Sequence, residues 1–288
     1  MSTLQHASAW RRPVNIARAA QGTIHHDETA QSVGLRGGAV AGSVHMEQFA
    51  PLLIELFGPE WRATGGLSLF FLQPTMDGEP VRCCAGPVQA AGALRRCEVW
   101  MESDAGARVM EGSAHVGGCD PESALKQRLR QVRPAREVRI LAAARVGAKV
   151  RDVATRIDAA RLAEYVAGRD DPAYTSLGRS TDGRAVAPAN LVVDAFRAVE
   201  KTLVPINDEF VGLYGAIEIE HLAGPVLADT DYRVSGCILA LGESPKTEMI
   251  WYEAELREES RPVARLLHMS RLLKASSPLW AHGSAALP

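Results

Sequence analysis

The sequence lacks long hydrophobic runs and carries little net charge, and each absence excludes a class of protein. No stretch reaches the roughly 18 apolar residues of a membrane-spanning helix, so we predict none. The first residues also lack the apolar segment of a signal peptide, which favours a cytoplasmic protein. The formal net charge is −2 over 288 residues, which leaves no global positive field for nucleic acid or an anionic membrane surface.

Cysteines are few, and their spacing suits neither a disulfide framework nor a metal site. There are five, an odd number, and Cys83 and Cys84 are adjacent, so neither paired bridges nor a Cys-x-x-Cys site is indicated. His115, His221 and His268 stand in predicted strands without another ligand type at coordinating distance in the sequence. We therefore predict reduced thiols and no bound metal.

What the sequence does contain is an internal repeat. Residues 37–42, Gly-Gly-Ala-Val-Ala-Gly, are echoed by residues 183–188, Gly-Arg-Ala-Val-Ala-Pro. An amphipathic stretch follows each echo, and Gly58 and Pro205 end these stretches as helix-stopping residues do. Apolar residues recur there at the spacing of one helix face, which predicts a helix in each half: Phe49, Leu52, Leu53, Leu56 and Phe57, then Leu191, Val192, Ala195, Phe196, Val199 and Leu203.

Strand-like runs follow both predicted helices. Alternating apolar residues separated by Pro, Asp and Gly turns predict strands at residues 66–72, 96–101, 107–116, 215–222, 232–241, 248–258 and 263–273. Each half therefore reads as one helix followed by antiparallel strands, an α+β unit in which a curved sheet wraps its own helix. We predict an N-terminal repeat over residues 1–120, a linker over residues 121–137 with a short helix, and a C-terminal repeat over residues 138–288.

A polar segment precedes the glycine-rich turn in each half. In the first half it covers residues 22–30, Gly-Thr-Ile-His-His-Asp-Glu-Thr-Ala, and it leads through Gly34 to residues 38–42. This arrangement resembles the hydratase motif of MaoC-like (R)-specific enoyl-CoA hydratases. In the second half, residues 165–174 end in Asp-Asp-Pro-Ala-Tyr and are followed by residues 183–188. That arrangement is similar to the N-terminal dehydratase half of the same superfamily.

The resemblance implies a double hot-dog fold, with two fused repeats that hold an acyl-CoA or acyl-carrier thioester in a tunnel between them. It implies an enzyme of the hydro-lyase type that uses no cofactor besides the thioester carrier. His25 falls on the catalytic histidine, and the amide of Gly42 falls at the helix start that polarises the thioester carbonyl. Gly38, Ser43 and Tyr174 complete the implied binding set. Two such chains can also pair, which leaves a homodimer open.

The sequence departs from the family motif at the acid. In the family a catalytic Asp lies five residues before the His, and that position is Ala20 in this chain. In the second half, Tyr174 stands at the position of the His and Arg169 at that of the Asp. Neither half therefore carries the complete pair of catalytic residues.

Three explanations of the missing acid stay open at this point. Asp27 or Glu28 replaces it, or Asp170 or Asp171 works with His25 across the interface between the halves. The third explanation is that the pocket has lost hydration and only binds an acyl group. Asp27 also has a structural interpretation as a helix N-cap.

The sequence thus predicts a hydratase or dehydratase that acts on an acyl thioester. His25 would be the acid and base, helped by the carboxylate of Asp27 or Asp170. One alternative is a hot-dog thioesterase in which Glu47 or Asp194 on the helices activates water. Another is a non-catalytic acyl-binding subunit that depends on a catalytic partner.

Overall fold

The first half folds as a central helix of two segments held against antiparallel strands. The structure is a computed structural model that describes residues 4–167, 178–180, 182–204, 206 and 209–281. The helices of the first half are α1 (Asp27–Ser32), α2 (Gly42–Glu47), α3 (Ala50–Phe57) and α4 (Trp61–Thr64). Its strands are β1 (His6–Ala7), β2 (Gly66–Phe71), β3 (Val81–Ala85), β4 (Gln89–Ala91), β5 (Leu94–Ser103) and β6 (Arg108–Val116).

The second half repeats this plan with one uninterrupted central helix. A short helix, α5 (Ala124–Arg130), connects the halves. The elements that follow are β7 (Lys149–Arg156), α6 (Ala159–Val166), α7 (Ala189–Leu203), β8 (Gly212–His221), β9 (Asp231–Glu243), β10 (Thr247–Glu258), β11 (Arg261–Leu273), a 3-10 turn (Lys274–Ser276) and α8 (Pro278–Ala281). The predicted order of one helix followed by antiparallel strands is confirmed in both halves.

One antiparallel sheet runs through both halves. Its strand order is β1-β3-β5-β6-β2-β8-β11-β10-β9-β7, with β4 paired to β5. The order is symmetric about its centre, so that each strand of one half has an equivalent at the same place in the other half. The equivalent strands β2 and β8 meet at the centre, and β6 and β11 flank them. At this seam Leu67 lies opposite Ile219 and Ser68 lies opposite Glu218. Two repeats that pair through equivalent strands explain why the sequence pattern recurs.

Pro51 accounts for the break in the hydrogen-bond pattern of the first central helix, between α2 and α3. Gln48 and Phe49, between α2 and α3, keep helical backbone angles, so residues 42–57 form one continuous helix. Pro51 lacks the N–H that would bond to the carbonyl of Glu47, and its ring crowds that carbonyl. Helix α7, which carries no proline inside its span, is the uninterrupted counterpart in the second half.

The two central helices bury their predicted apolar faces in one shared core. Phe49 and Phe196, at corresponding places on the two helices, are both 0% exposed. A single cluster of buried side chains includes residues of both halves, so neither half closes a core by itself. No helix in the described ranges is both long enough and apolar enough to cross a membrane.

Helix α5 covers the outer face of the seam through a buried ionic contact. The Lys126 ammonium lies 2.6 Å from Glu220 Oε1 and 3.3 Å from Glu218 Oε1. Burial alone would lower the pKa of Lys126, but the two carboxylates raise it overall. The Ser123 hydroxyl donates to Glu218 Oε2 at 2.6 Å, which ties the start of α5 to β8. The predicted short helix between the halves is thus present, and it clamps both of them.

Strand β7 and helix α6 were not predicted. Both are largely solvent-exposed, and residues 149–156 mix charged and apolar residues without clean alternation. β7 nevertheless pairs with β9 at the sheet edge, as β1 pairs with β3 at the opposite edge. Tertiary pairing, not local pattern, therefore decides the structure of this segment.

Candidate active site

A cavity of about 940 Å³ lies where the two central helices approach the sheet. His25, Gly42 and Ser43 line it from the first half. Helix α7 lines it from the second half, with Asn190, Val193, Asp194, Arg197, Glu200 and Lys201. Because both halves contribute walls, neither half would form this cavity alone.

One ring nitrogen of His25 is held by a hydrogen bond, and the other is available to accept a proton. Its Nδ1 lies 2.7 Å from the carbonyl oxygen of Ala39, so in the neutral ring Nδ1–H is the donor. Nε2 is then unprotonated and can accept a proton. Burial lowers the pKa of His25, the Ala39 carbonyl opposes this shift, and Arg197 lowers the pKa further. The residue therefore stays in the basic form near neutral pH.

The backbone around His25 is fixed by the glycine-rich turn. The amide of Ala39 donates to the carbonyl of Ile24 at 2.8 Å, and the side-chain amide of Asn15 donates to the carbonyl of His25 at 2.8 Å. A Cβ on Gly38 would stand 2.2 Å from that His25 carbonyl oxygen, so only glycine fits there. The Gly38 of the motif thus serves close packing of two backbone segments.

Gly42 begins the first central helix beside the cavity. A Cβ at this position would lie 2.6 Å from the ring of Phe71, so the helix start packs directly on β2. The first N–H groups of a helix have no partner within the helix and carry its positive end. The amides of Gly42 and Ser43 are such groups, and both residues line the cavity.

Ser43 and Glu47 join the two helix starts to each other. The Ser43 hydroxyl donates to Asn190 Oδ1 at 2.6 Å, and the backbone N–H of Asn190 donates to Glu47 Oε2 at 3.4 Å. The Tyr165 hydroxyl donates to Glu47 Oε1 at 2.8 Å, and Glu47 is only 1% exposed. Glu47 does not line the cavity that His25 lines. Glu47 therefore caps the start of α7 from the opposite half. This role differs from the activation of water that the thioesterase alternative assigned to it.

The predicted partnership of Asp27 with His25 is not what the structure shows. Asp27 is the first residue of α1, while His26 is its N-cap, and Asp27 Oδ1 accepts the N–H of Gly38 at 2.7 Å. No bond between Asp27 and His25 is present in the described residues. Because Asp27 occupies the Gly38 amide, that amide is not offered to a substrate, and neither residue lines the cavity.

Three other predicted residues cannot be placed. Asp170, Asp171 and Tyr174 lie outside the described residues. The proposed contact of Asp170 or Asp171 with His25 across the interface between the halves stays a prediction, and so does the binding role of Tyr174.

Asp194 lies on the cavity wall but is held by cations. It forms an ion pair with Arg161, and Arg197 Nη1 lies 3.6 Å from its carboxylate. One carboxylate oxygen of Asp194 faces Arg161 and the other faces Arg197, so both oxygens are engaged by guanidinium groups. Asp194 is thus placed in the cavity without being poised to activate water.

Glu200 and Tyr214 line the same cavity and were missed in the sequence. Burial raises the pKa of Glu200, and Arg197 opposes that shift. Burial also raises the pKa of Tyr214, with a further contribution from Glu200. The only feature of the sequence that could have pointed to Glu200 is a row of charged residues on one side of a predicted helix. This row contains Asp194, Arg197 and either Glu200 or Lys201. That pattern is usually a solvated helix face.

No group of three His, Cys, Asp or Glu side chains suited to a metal occurs within the described part of the chain. All five cysteines lie in the described residues and none of them forms a disulfide bond, and Cys83, Cys84 and Cys97 are buried. Burial raises the pKa of the Cys97 thiol to about 12, which keeps it protonated and unreactive.

Comparison with known proteins identifies the fold. No protein-family model and no curated protein matches the sequence. A protein of Chloroflexus aurantiacus, named as a MaoC domain dehydratase, matches with a TM-score of 0.60 and 12% identity, covering 95% of each chain. A protein named MaoC-like dehydratase matches with a TM-score of 0.52 and 15% identity, over 92% of this chain and 97% of that one.

A third solved structure makes the fold explicit. A conserved protein of Mycobacterium tuberculosis, described as having a double hot-dog fold, matches with a TM-score of 0.56 and 11% identity, over 94% of this chain and 96% of that one. The chain has the double hot-dog fold, as predicted from the sequence. MaoC-type dehydratases are among the proteins that share this fold with it.

Proposed function

We propose that the protein is a MaoC-like hydratase or dehydratase that adds water to, or removes it from, an acyl thioester. The observation that carries the proposal is the setting of His25. Its Nδ1 is committed to the Ala39 carbonyl, and its lowered pKa keeps Nε2 free of a proton near neutral pH. The residue lines a large cavity beside the start of a helix, where backbone N–H groups are available.

This arrangement supports a simple acid and base cycle. In hydration, Nε2 of His25 accepts a proton from water as the water oxygen bonds to the β-carbon. The electron pair of the C=C bond forms a new double bond between the α-carbon and the carbonyl carbon, and the carbonyl π pair moves to the thioester oxygen, where the amide of Gly42 would stabilise the enolate. The imidazolium then returns its proton to the α-carbon, so that one water is added in total. Dehydration is the reverse sequence.

A cycle that uses only His25 would not need the Asp that the motif lacks in this chain. One group that takes and returns the same proton satisfies the stoichiometry without a second acid. A carboxylate from Asp170 remains part of the proposal as a residue that would orient the water. Asp27 is not kept in that role, because its carboxylate holds the Gly38 amide.

A thioesterase is the less favoured candidate. The two carboxylates considered for it are otherwise engaged, since Glu47 accepts from Tyr165 and Asn190, and Asp194 pairs with Arg161 and Arg197. Neither is placed as a free base facing a thioester in the cavity.

An activity assay on enoyl-CoA and saturated acyl-CoA esters separates the candidates. We expect loss of the conjugated thioester absorbance with enoyl-CoA, and no thiol release detectable with a thiol reagent. Thiol release without hydration would instead establish the thioesterase. Binding of the esters without either reaction would favour the non-catalytic acyl-binding subunit.

A further inference from the structure

The part of the cavity formed by the second half contains a cluster of polar side chains. Glu200 from α7, Tyr214 from β8 and Ser270 from β11 line the cavity. Tyr252 and His268 lie behind them, 1% and 0% exposed. We call these five residues the polar cluster.

Hydrogen bonds and ring contacts connect the polar cluster. The Tyr252 hydroxyl is hydrogen-bonded to Nδ1 of His268 and also to Glu200. The ring of Tyr214 meets that of His268 edge to face, with centroids 4.3 Å apart. Burial lowers the pKa of His268 to about 3, so it stays neutral. The two inner residues therefore support the three that face the cavity.

Matching backbone hydrogen bonds identify the first-half counterparts of β11 residues. The amides of Leu72 and Gln73 both donate to Val109, and those of Leu222 and Ala223 both donate to Val263. Counting onward from Val109 and Val263, His268 corresponds to Ala114 and Ser270 to Val116. Cross-strand pairs agree, because Cys97 lies opposite Ala114 as Tyr252 lies opposite His268.

The helices can be matched in the same way. The amide of Val40 donates to Thr75, and that of Ala187 donates to Val226, so the backbone pairs Val40 with Ala187, one residue later than the sequence repeat predicted. Counting onward from Val40 and Ala187, Glu200 corresponds to Leu53, which is 0% exposed.

The same backbone therefore carries an apolar core in one half and a polar cluster in the other. Leu53, Cys97, Ala114 and Val116 are all buried core residues. A polar group buried in place of an apolar one destabilises a fold unless it is hydrogen-bonded. The first half shows that this fold does not need polar groups at these positions.

Two atoms of the polar cluster still lack partners. The Ser270 hydroxyl and Nε2 of His268 are buried without a hydrogen bond to any described residue. Leaving such groups unpaired is costly, so they are more often satisfied by a bound molecule or by water. Ser270 also lines the cavity, so a ligand in it could reach the hydroxyl.

The polar cluster lies well away from the thioester end. The Ser43 hydroxyl contacts Asn190, which marks the helix starts. Glu200 lies ten residues further along α7. At the rise of an α-helix this is about 15 Å along the axis. A ligand whose thioester sits near His25 and Gly42 would meet the polar cluster only with a remote part of its acyl chain.

We propose that the polar cluster binds a hydroxyl group on the acyl chain, remote from the thioester. The proposal rests on the acyl-thioester function given above. A neutral hydroxyl can donate to Glu200 and accept from Ser270. Glu200 lies beside Arg197 and Lys201 on the same cavity wall, so the wall carries charges of both signs and offers no uniform field that would select an anionic or a cationic group.

Calorimetric titration with saturated acyl-CoA esters tests the proposal without depending on turnover. Each ω-hydroxyacyl-CoA is paired with the unsubstituted ester of equal length, over a series of short to medium chains. At the length that reaches the polar cluster, the hydroxylated ester should bind about tenfold more tightly. Equal affinity at every length would overturn the hydroxyl site.

Variants assign the preference to the polar cluster. Ser270→Ala should remove most of the preference and leave the affinity for the unsubstituted ester unchanged. Glu200→Leu, which installs the residue of its counterpart Leu53, should also remove it. Ser113→Ala is the matched control, because Ser113 lies on β6 and bonds to the amide of Ala124 outside the cavity. A preference that survives both cluster variants would contradict the assignment.

The outcomes distinguish this inference from the proposed function. Hydration of enoyl-CoA together with equal binding of paired esters would overturn the hydroxyl site alone. Failure to bind any acyl-CoA ester would overturn both.

Discussion

The two halves of the molecule share one backbone arrangement but differ in the polarity of the side chains at equivalent positions. In the first half, His25 and Gly42 line the cavity, with Gly42 at the start of the central helix, and Leu53 and Ala114 make the interior apolar. In the second half the matched interior positions hold Glu200 and His268. Because the backbone hydrogen bonds match, the fold itself does not set the polarity of these positions. Under the two proposals above, this difference corresponds to a division of roles, with the reactive group in one half and recognition of the acyl chain in the other.

The largest effect should come from a substitution that gives the second half a first-half residue. Glu248 accepts the backbone N–H groups of Arg139, Ile140 and Leu141 and the indole N–H of Trp280. By strand register its counterpart is Ala93, an exposed turn residue. Glu248→Ala should lower the free energy of unfolding by about 3–5 kcal/mol in urea titrations, because it leaves several N–H donors without a hydrogen-bond acceptor.

Glu253→Ala provides the control for that measurement. Glu253 lies on the same strand but is exposed, so its substitution should change stability by no more than about 0.5 kcal/mol. Equal losses in the two variants would show that the buried carboxylate has no special role.

The start of the first helix should be more sensitive than the start of the second. Gly42 corresponds to Ala189, so Gly42→Ala makes the first half resemble the second. The added Cβ would stand 2.6 Å from the Phe71 ring and displace the helix start. Hydration activity should fall by about 100-fold, since small displacements of catalytic geometry are costly. Ala189→Gly should leave kcat/KM within a factor of about two, and loss of activity in that variant alone would reverse the assignment of the active half.

The smallest predicted effect concerns pH and His268. Its pKa is lowered from 6.5 to about 3, so as pH falls through this window the unfolded chain gains a proton that the folded chain does not. Stability therefore falls with decreasing pH, by about 1.4 kcal/mol per pH unit from this group. The raised pKa values of Glu200 and Glu218 act in the opposite direction, so the difference between variant and parent is the quantity to measure.

His268→Ala, which installs the residue of Ala114, should remove that slope. Urea unfolding of both proteins across pH 6.5 to 5 should show stability curves that converge as pH falls. Parallel curves would contradict a neutral, buried His268.

Much of the fold could be predicted because the same local sequence pattern occurs in both halves. Residues 37–42 and 183–188 mark the turns, and the apolar spacing that follows each turn predicts the helices. Strand β7 was missed because it is an exposed edge strand, whose structure depends on pairing with β9.

The candidate site was predictable only in part. His25 stood out because its surroundings resemble a known motif, and it does line the cavity. The partner of Asp27 could not be foreseen, because it depends on how the following turn folds back to place Gly38. Glu200 looks like a solvated helix position in sequence, and only the closure of the sheet around α7 places it in the cavity.

The most direct test of the account compares two adjacent histidines in the enoyl-CoA hydration assay. His25→Ala should reduce kcat by at least about 1000-fold, because acid and base catalysis is lost, while the circular dichroism spectrum stays unchanged. His26→Ala, the control, should retain near-parental activity. Unchanged hydration in a folded His25→Ala variant would contradict the assignment of the reaction to the first half.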